Sequence, residues 1–390
     1  MPRQREEFMS ISESDFKNTG KDALKIGFIG FGLIGGSIAR ALKRLDEQYY
    51  LLAYDHHHEN NPGSDLQTAL SDGVLDFVSF RLSDGFPDCD LIFLCAPVLI
   101  NIDYLAQLKP LIKPGCILTD VGSVKGNIHE AVKKLGLEEQ FIGGHPMTGS
   151  EKTGYSNSYA MLLENSYYIL TPTEHTPEEM IRVMYRLVGK MGSIPILLDA
   201  GEHDEITAAI SHVPHIIAAQ LVNLVRASDD ESEKMKILAA GGFKDITRIA
   251  SSSPTMWQNI CLTNAKSIKR LLDRYIEQLQ KASGALEHLD GDYLYRMFCT
   301  AGEYRSTIPN KSVGLIRKVF EIYLDIMDEA GAIATIAAML ATTRISIKNI
   351  GIIHNREFEE GVLRIEFYDE ASAENATTLL KRYHYRVYER

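Results

Sequence analysis

Residues 25–45, KIGFIGFGLIGGSIARALKRL, decide the fold. An apolar strand, KIGFI, runs into three glycines, Gly30, Gly32 and Gly35, and an apolar helical period follows through SIARALKRL. A second apolar strand, YYLLAYD at 49–55, comes next, and strand, sharp turn, helix, strand is a parallel βαβ unit. Working outward, further strands are expected at LIFLCAP (91–97), CILTDVG (116–122), FIGG (141–144), YYILTP (167–172) and IPILLD (194–199), continuing the parallel pattern. They close an α/β domain over 23–200, behind a polar flexible tail at 1–22. Beyond it the period is helical, with segments expected at 203–227, 231–252, 255–283 and 289–306, an all-α domain over 201–310. Residues 316–390 then read strand, helix, strand, strand, helix, strand, a βαββαβ order of ferredoxin-like type.

Composition narrows the classes. The chain has 390 residues, 45% hydrophobic and 24% charged, an ordinary globular balance that excludes wholesale disorder. A net charge of -11 with no basic cluster repels phosphate backbones and anionic lipid, so neither nucleic acid nor a membrane is an expected partner. The five cysteines are odd in number and widely spaced, which suggests a reducing compartment rather than a disulfide framework. No uninterrupted apolar run reaches the ~18 residues that span a bilayer, and the first residues lack the apolar stretch of a signal peptide. A cytoplasmic location is the expectation.

The glycines are the pattern of a Rossmann-type dinucleotide site. Gly30 permits the tight turn, Gly32 lets backbone approach a pyrophosphate, and Gly35 allows close helix packing. Asp55 ends the second strand, where a carboxylate takes the ribose hydroxyls and repels a 2′-phosphate, so NAD is expected over NADP. The expected cofactor contacts are Gly30, Phe31, Gly32, Leu33, Ile34, Gly35, Asp55, Ala96, Pro97 and Ser123. His56, His57 and His58 point in divergent directions, and His212 and His215 lack a third ligand, so no metal site is expected.

Ligands of open parallel sheets sit beyond the carboxyl ends of the strands. His145 follows such a strand in GGHPMTGSEKTG (143–154), where a neutral imidazole can take a hydroxyl proton as hydride leaves the same carbon. Ser123, ending the neighbouring strand, is expected to hydrogen-bond either His145 or the substrate hydroxyl. Asp204, Thr207, Ser211 and His215 recur at spacings of three and four as one polar stripe on an apolar helix, expected to line the cleft, and Pro214 is expected to bend that helix. Lys244 and Arg248, four apart, are cations without nearby counter-charge on their face and suit an anionic substrate.

Four motifs together, VGSVK (121–125), GGHPMTGSEKTG (143–154), SHVPH (211–215) and GGFKDITRIASSSPTMW (241–257), closely resemble the prephenate dehydrogenase family of tyrosine biosynthesis. The resemblance covers about residues 24–305. It implies NAD-dependent oxidative decarboxylation of prephenate to 4-hydroxyphenylpyruvate. It also implies that His145 bonds the ring hydroxyl with Ser123 as its partner, that Arg248 binds the carboxylate, that Ser150, Glu151, Asp204, Ser211 and His215 lie in the cleft, and that the all-α domain forms a homodimer. The rivals are an arogenate or dual-specificity cyclohexadienyl dehydrogenase and, from another class, an inactive NAD-binding amino-acid sensor. The C-terminal stretch DIMDEAGAIATIAAMLATTRISIKNIGIIHNRE (325–357) resembles an ACT regulatory domain. This implies feedback by L-tyrosine at a pocket including Gly331, Ala332, Asn349 and Ile350.

Overall fold

Strand β1 (Leu24–Ile29), helix α1 (Leu33–Lys43) and strand β2 (Tyr49–Tyr54) form the expected βαβ unit, with β1 and β2 parallel and Ile26 opposite Leu51. The computed structural model describes residues 23–45, 49–56, 65–149, 152–308, 320–326, 331–353 and 361–388. The tail at 1–22, Ser150 and Glu151, His57 and His58, and the loop ahead of Gly331 lie outside them. The chain forms two compact units, Met1–Gly314 and Leu315–Arg390.

In the first unit, α2 (Asp65–Ser71), β3 (Phe77–Val78), β4 (Leu91–Leu94), α3 (Val98–Leu108), β5 (Ile117–Asp120) and α4 (Gly126–Leu135) complete a parallel sheet of order β3-β2-β1-β4-β5. The order reverses between β1 and β4, the place where such sheets open a crevice for a ligand. The strands are buried on both faces, which explains their nearly unbroken apolar sequences.

The parallel pattern does not continue past β5. Strands β6 (Ile142–Pro146), β7 (Tyr167–Pro172) and β8 (Ile194–Leu197) form a separate three-stranded sheet, with α5 (Glu178–Lys190) between the last two. Here β6 is antiparallel to β7, and one parallel bridge, Leu118 to Phe141, joins the two sheets. The reason is local. Gly144 lies so close to the end of β5 that a Cβ there would stand 2.5 Å from the Asp120 carbonyl oxygen, so β6 crosses that end instead of lengthening the ladder.

The helical part contains α6 (Ala200–Thr207), a π-helical turn (Ala208–His212), α7 (Val213–Ser228), α8 (Lys234–Leu238), α9 (Gly241–Thr247), a 3₁₀ turn (Arg248–Ser251), α10 (Pro254–Thr263), α11 (Ala265–Glu287) and α12 (Gly291–Thr307). The wide turn at 208–212 immediately precedes Pro214 and relieves the missing N–H without ending the helical run. The expected single helix 255–283 is instead broken at Asn264, which is buried and donates its amide to the Asp204 carbonyl at 2.8 Å. The run Ala200–Ser228 is one long helical stretch. By length and mean hydropathy it could cross a membrane, because its few charged residues interrupt the apolar sequence without lowering its average much. Its domain has a small core, Ala208, Val213 and Ile268, and leaves Ile210, Leu224 and Leu262 exposed.

The second unit is β9 (Phe320–Ile326), α13 (Ala332–Thr342), β10 (Ile347–Ile353), β11 (Gly361–Phe367), α14 (Glu370–Arg382) and β12 (Val387–Tyr388). Its antiparallel order β10-β11-β9-β12 is the ferredoxin-like topology, with a core of its own that includes Leu324, Leu340, Ile365 and Leu380.

The tight crossing at Gly144 yields a stability prediction. Gly144→Ala should lower stability by about 1–3 kcal/mol, the usual cost of overpacking, because the opposing atom is backbone and cannot rotate away. Chemical denaturation measures it, and an unchanged midpoint would show that the two sheets can separate freely.

Candidate active site

The glycine turn is built as a dinucleotide cradle. Gly30 has φ +80°, and a Cβ there would meet the backbone nitrogen of Ala96 at 2.8 Å, so the turns after β1 and β4 close on each other at the switch point. A Cβ on Gly32, by contrast, would have no atom of the described residues within 4 Å, which leaves space among them beside the first turn of α1. Asn101 fixes the second turn by donating to the carbonyls of Leu94 (3.2 Å) and Ala96 (2.8 Å). Asp55 accepts from Phe31 N at 3.2 Å and thereby braces the glycine turn. These residues fit NAD: an open helix N-terminus with Leu33 and Ile34 in its first turn for the pyrophosphate, and a carboxylate at the end of β2 for the ribose. The Phe31 ring is a departure from the expected contact. It is buried against Phe28 and stacked on Tyr155, so its side chain belongs to the core.

Beyond the end of β5 the chain buries an ion pair. Lys125 and Asp120 are both 0% exposed and bonded to each other, and the same ammonium donates to the Gly144 carbonyl at 2.7 Å. Asp120 in turn accepts from Gly144 N at 3.2 Å and Gly122 N at 2.9 Å. Burial pushes the Lys125 ammonium down, while Asp120 opposes that shift. A strut so arranged holds both backbone groups of the residue preceding His145. Sequence reasoning missed it, since a lysine in a glycine-rich loop reads as solvated.

His145 is half-buried, and its Nδ1 lies 2.8 Å from His203 Nε2. His203 Nδ1 lies 2.9 Å from Asp204 Oδ1, which also accepts from Lys125 N at 2.7 Å, while Asp204 Oδ2 accepts from Gly126 N at 2.8 Å. Two expectations are corrected by this chain. The partner of His145 is His203, and among the described residues no hydrogen bond joins Ser123 to it. Asp204 does not line an open cleft, being 8% exposed with its carboxylate engaged, and Thr207 is buried with its hydroxyl donating to the His203 carbonyl at 2.9 Å. The stripe was read from helical spacing alone, which cannot tell a face turned to a cleft from one turned to a neighbouring domain.

Electrostatics suit a base. Burial holds His145 well below the usual imidazole range, and the neighbouring His203, Lys125 and His212 reinforce it. Burial alone would raise the Asp204 carboxyl, but hydrogen bonds from His203 and from the backbone of Lys125 and Gly126 hold it low. His145 is therefore neutral and Asp204 charged near neutral pH. Farther along the helix, His215 Nδ1 donates to the Ser211 carbonyl at 2.8 Å, and its ring stacks on Trp257 with centroids 3.7 Å apart. The buried indole nitrogen of Trp257 has no hydrogen-bonding partner among the described residues. Arg248 is exposed on the 3₁₀ turn, and its positive charge, after burial, helps hold His215 below the usual imidazole range. Lys244 is exposed on α9.

A dinucleotide cradle together with a half-buried, neutral histidine defines a nicotinamide-dependent dehydrogenase. Comparison with known proteins narrows the class. Residues 38–196 match the family described as prephenate dehydrogenase, nucleotide-binding domain, and residues 199–300 match prephenate dehydrogenase, dimerization domain. A prephenate dehydrogenase of Bacillus subtilis is 37% identical over 363 residues, covering 92% of this chain and 95% of that protein. A cyclohexadienyl dehydrogenase of Zymomonas mobilis is 34% identical, covering 70% of this chain and 92% of that protein. The crystal structure of prephenate dehydrogenase from A. aeolicus in complex with hydroxyphenyl propionate and NAD+ aligns with TM-score 0.69 at 26% identity, covering 75% of this chain and all (100%) of that one. The chain belongs to the prephenate dehydrogenase family. Membership in a family of dehydrogenases sets aside the reading as an inactive sensor.

Two outcomes follow from this site. Asp55→Ser should narrow the ratio of kcat/KM for NAD over NADP, and equal use of both cofactors by the unchanged enzyme would contradict the role given to Asp55. The second concerns acid. Burial lowers His212 from the ordinary 6.5 to about 4, and His145 and His203 also lie low. Below pH ~6.5 the unfolded chain therefore binds protons that the folded one refuses, so stability falls as pH drops toward 4. Melting temperatures across that window should decline, and decline less steeply in His212→Gln.

Proposed function

We propose that this protein oxidatively decarboxylates prephenate to 4-hydroxyphenylpyruvate with NAD, in the cytoplasm, as a homodimer formed through its helical domain. The observation that supports the reading is His145: neutral, tied inward through Nδ1, and next in β6 to Gly144, which packs on the carboxyl end of β5. NAD, held by Gly30, Gly32, Gly35 and Asp55, supplies the acceptor for the two electrons and hydrogen lost by the hydroxyl-bearing carbon. His145 Nε2 takes the hydroxyl proton, and Ser123, in the turn after β5, is assigned in this reading to the same substrate hydroxyl. Arg248 orients a substrate carboxylate; its grip need not strengthen in the transition state, because that charge disperses as CO2 departs. His215, Ser211, Ser150, Glu151 and Lys244 complete the substrate contacts in this reading, and the unpaired Trp257 N–H offers one more donor near His215. The exposed apolar residues Ile210, Leu224 and Leu262 fall within the stretch that matches the dimerization domain, which supports the homodimer.

The second unit supports feedback by L-tyrosine. Gly331 has φ +96° and caps the start of α13, and a Cβ there would meet nothing within 4 Å among the described residues, which suits a helix N-terminus that takes a ligand carboxylate. Ala332 opens the helix, and Asn349 and Ile350 lie on β10 beside an irregularity in its pairing with β11.

An NADH absorbance assay with prephenate, and with arogenate as the competitor, tests the substrate. His145→Asn should keep prephenate binding and lose ~10²-fold or more in kcat, the scale of a positioned general base, whereas Arg248→Gln should mainly raise KM. Near-wild-type turnover of His145→Asn would remove the histidine from the mechanism. A chain ending at residue 314 should remain active and lose most of its tyrosine inhibition. Inhibition that survives the truncation unchanged would place tyrosine at the active site instead.

A further inference from the structure

We propose that His203 and Asp204 are positioning residues that set the protonation of His145, fixing its bare Nε2 toward the substrate and drawing inward the charge it acquires. This rests on the reading of His145 as the base, and goes beyond it by naming what makes the ring a base at the correct nitrogen.

The hydrogen positions follow from one carboxylate. Asp204 accepts from two backbone N–H groups, Lys125 N at 2.7 Å and Gly126 N at 2.8 Å, a set that suits an ionised acceptor. An ionised carboxylate has no proton to give, so at the 2.9 Å contact His203 Nδ1 must be the donor. A neutral His203 then carries no hydrogen on Nε2. That nitrogen faces His145 Nδ1 at 2.8 Å, so His145 must donate there. A neutral His145 is thereby left with an unprotonated Nε2, and no described residue bonds that atom. The opposite tautomer would require two bare nitrogens to face each other.

Charge balance points the same way. The buried charges around the two rings are the ion pair of Asp120 on β5 with Lys125 in the turn that follows, and the carboxylate of Asp204 on α6. They sum to minus one. His212 from the π turn is neutral near pH 7, as is His129 on α4, which bonds Thr171 at 2.9 Å. Taking one proton onto the histidine pair therefore neutralises the cluster. When Nε2 of His145 receives the hydroxyl proton, the proton on its Nδ1 can pass to Nε2 of His203. The His145 ring is neutral again, and the positive charge rests on His203 beside the Asp204 carboxylate. One proton enters the pair at the cleft and one moves inward, with no other bond changed.

The roles separate in a double-variant cycle on the full-length enzyme with prephenate and NAD. His203→Gln keeps a side chain able to hydrogen-bond but cannot accept the charge, and should lower kcat by roughly 10-fold or more with little change in either KM. In a His145→Asn background the same substitution should cost nothing further, because no ring remains to be oriented. Asp204→Asn retains one oxygen for the backbone donors and should show the same loss of kcat and the same lack of additivity, which covers the case in which His203→Gln fails to fold. Quenching of protein fluorescence by NADH checks that each variant retains its cofactor site. Wild-type kcat in both His203→Gln and Asp204→Asn, or losses that add fully to that of His145→Asn, would overturn the positioning role. Wild-type kcat in His145→Asn alone would instead overturn the reading of His145 on which it rests.

Discussion

The carboxylate of Asp204 lies where the helical domain meets the sheets. It is presented by α6 of the helical part, yet receives hydrogen bonds from Lys125 N and Gly126 N at the start of α4 in the α/β part. The same group anchors His203, which anchors His145 on β6. Asn264, at the break between α10 and α11, clamps the carbonyl of the same residue. Three segments far apart in sequence therefore converge on one residue, and each contact is a hydrogen bond to a buried acceptor. Removing a partner from such a group leaves the desolvation penalty uncompensated, about 1–3 kcal/mol and more for a charge. The seam is thus held by polar groups that cannot rearrange cheaply, while most apolar contacts within each part tolerate small shifts.

The Lys125–Asp120 pair serves a complementary purpose. A buried ion pair contributes little net stability, since taking both charges out of water offsets most of their attraction. Its value here is geometric. One ammonium and one carboxylate grip the N–H and the carbonyl of Gly144, so the peptide before His145 has a single orientation. The close crossing of Gly144 over Asp120 is possible only without a side chain there, and it brings the histidine to the crevice end of the parallel sheet.

How much of this was legible in the sequence depends on range. Gly30, Gly32, Gly35 and Asp55 announce the cofactor cradle because one strand, one turn and one helix suffice to build it. His145 stood out as an imidazole between glycine and proline, but its placement did not: the expected strand ends at Gly144, whereas β6 runs through His145, which pairs with Ile169, to Pro146. The βαββαβ order of the last unit was legible from alternating periods. The partner of His145 was not: the pairing spans 58 residues and exists only after the domains dock. His203 and Asp204 sit in a helix capped by Asp199 and are flanked by Glu202 and Glu205, so the local sequence reads as a solvated face and gives no sign that these two are buried. The second sheet escaped as well, because strand propensity carries no information on which ladder a strand joins.

The central claim is that a buried carboxylate dictates which nitrogen of His145 is bare. Nitrogen NMR of protein labelled with [15N]histidine, in the presence of NAD and with His145 assigned by the signals missing from His145→Asn, reads this directly. The account predicts a protonated Nδ1 and an unprotonated Nε2 for His145 at neutral pH, with protonated Nδ1 on His203. A His145 ring protonated at Nε2, or one that exchanges evenly between the two tautomers, would contradict it.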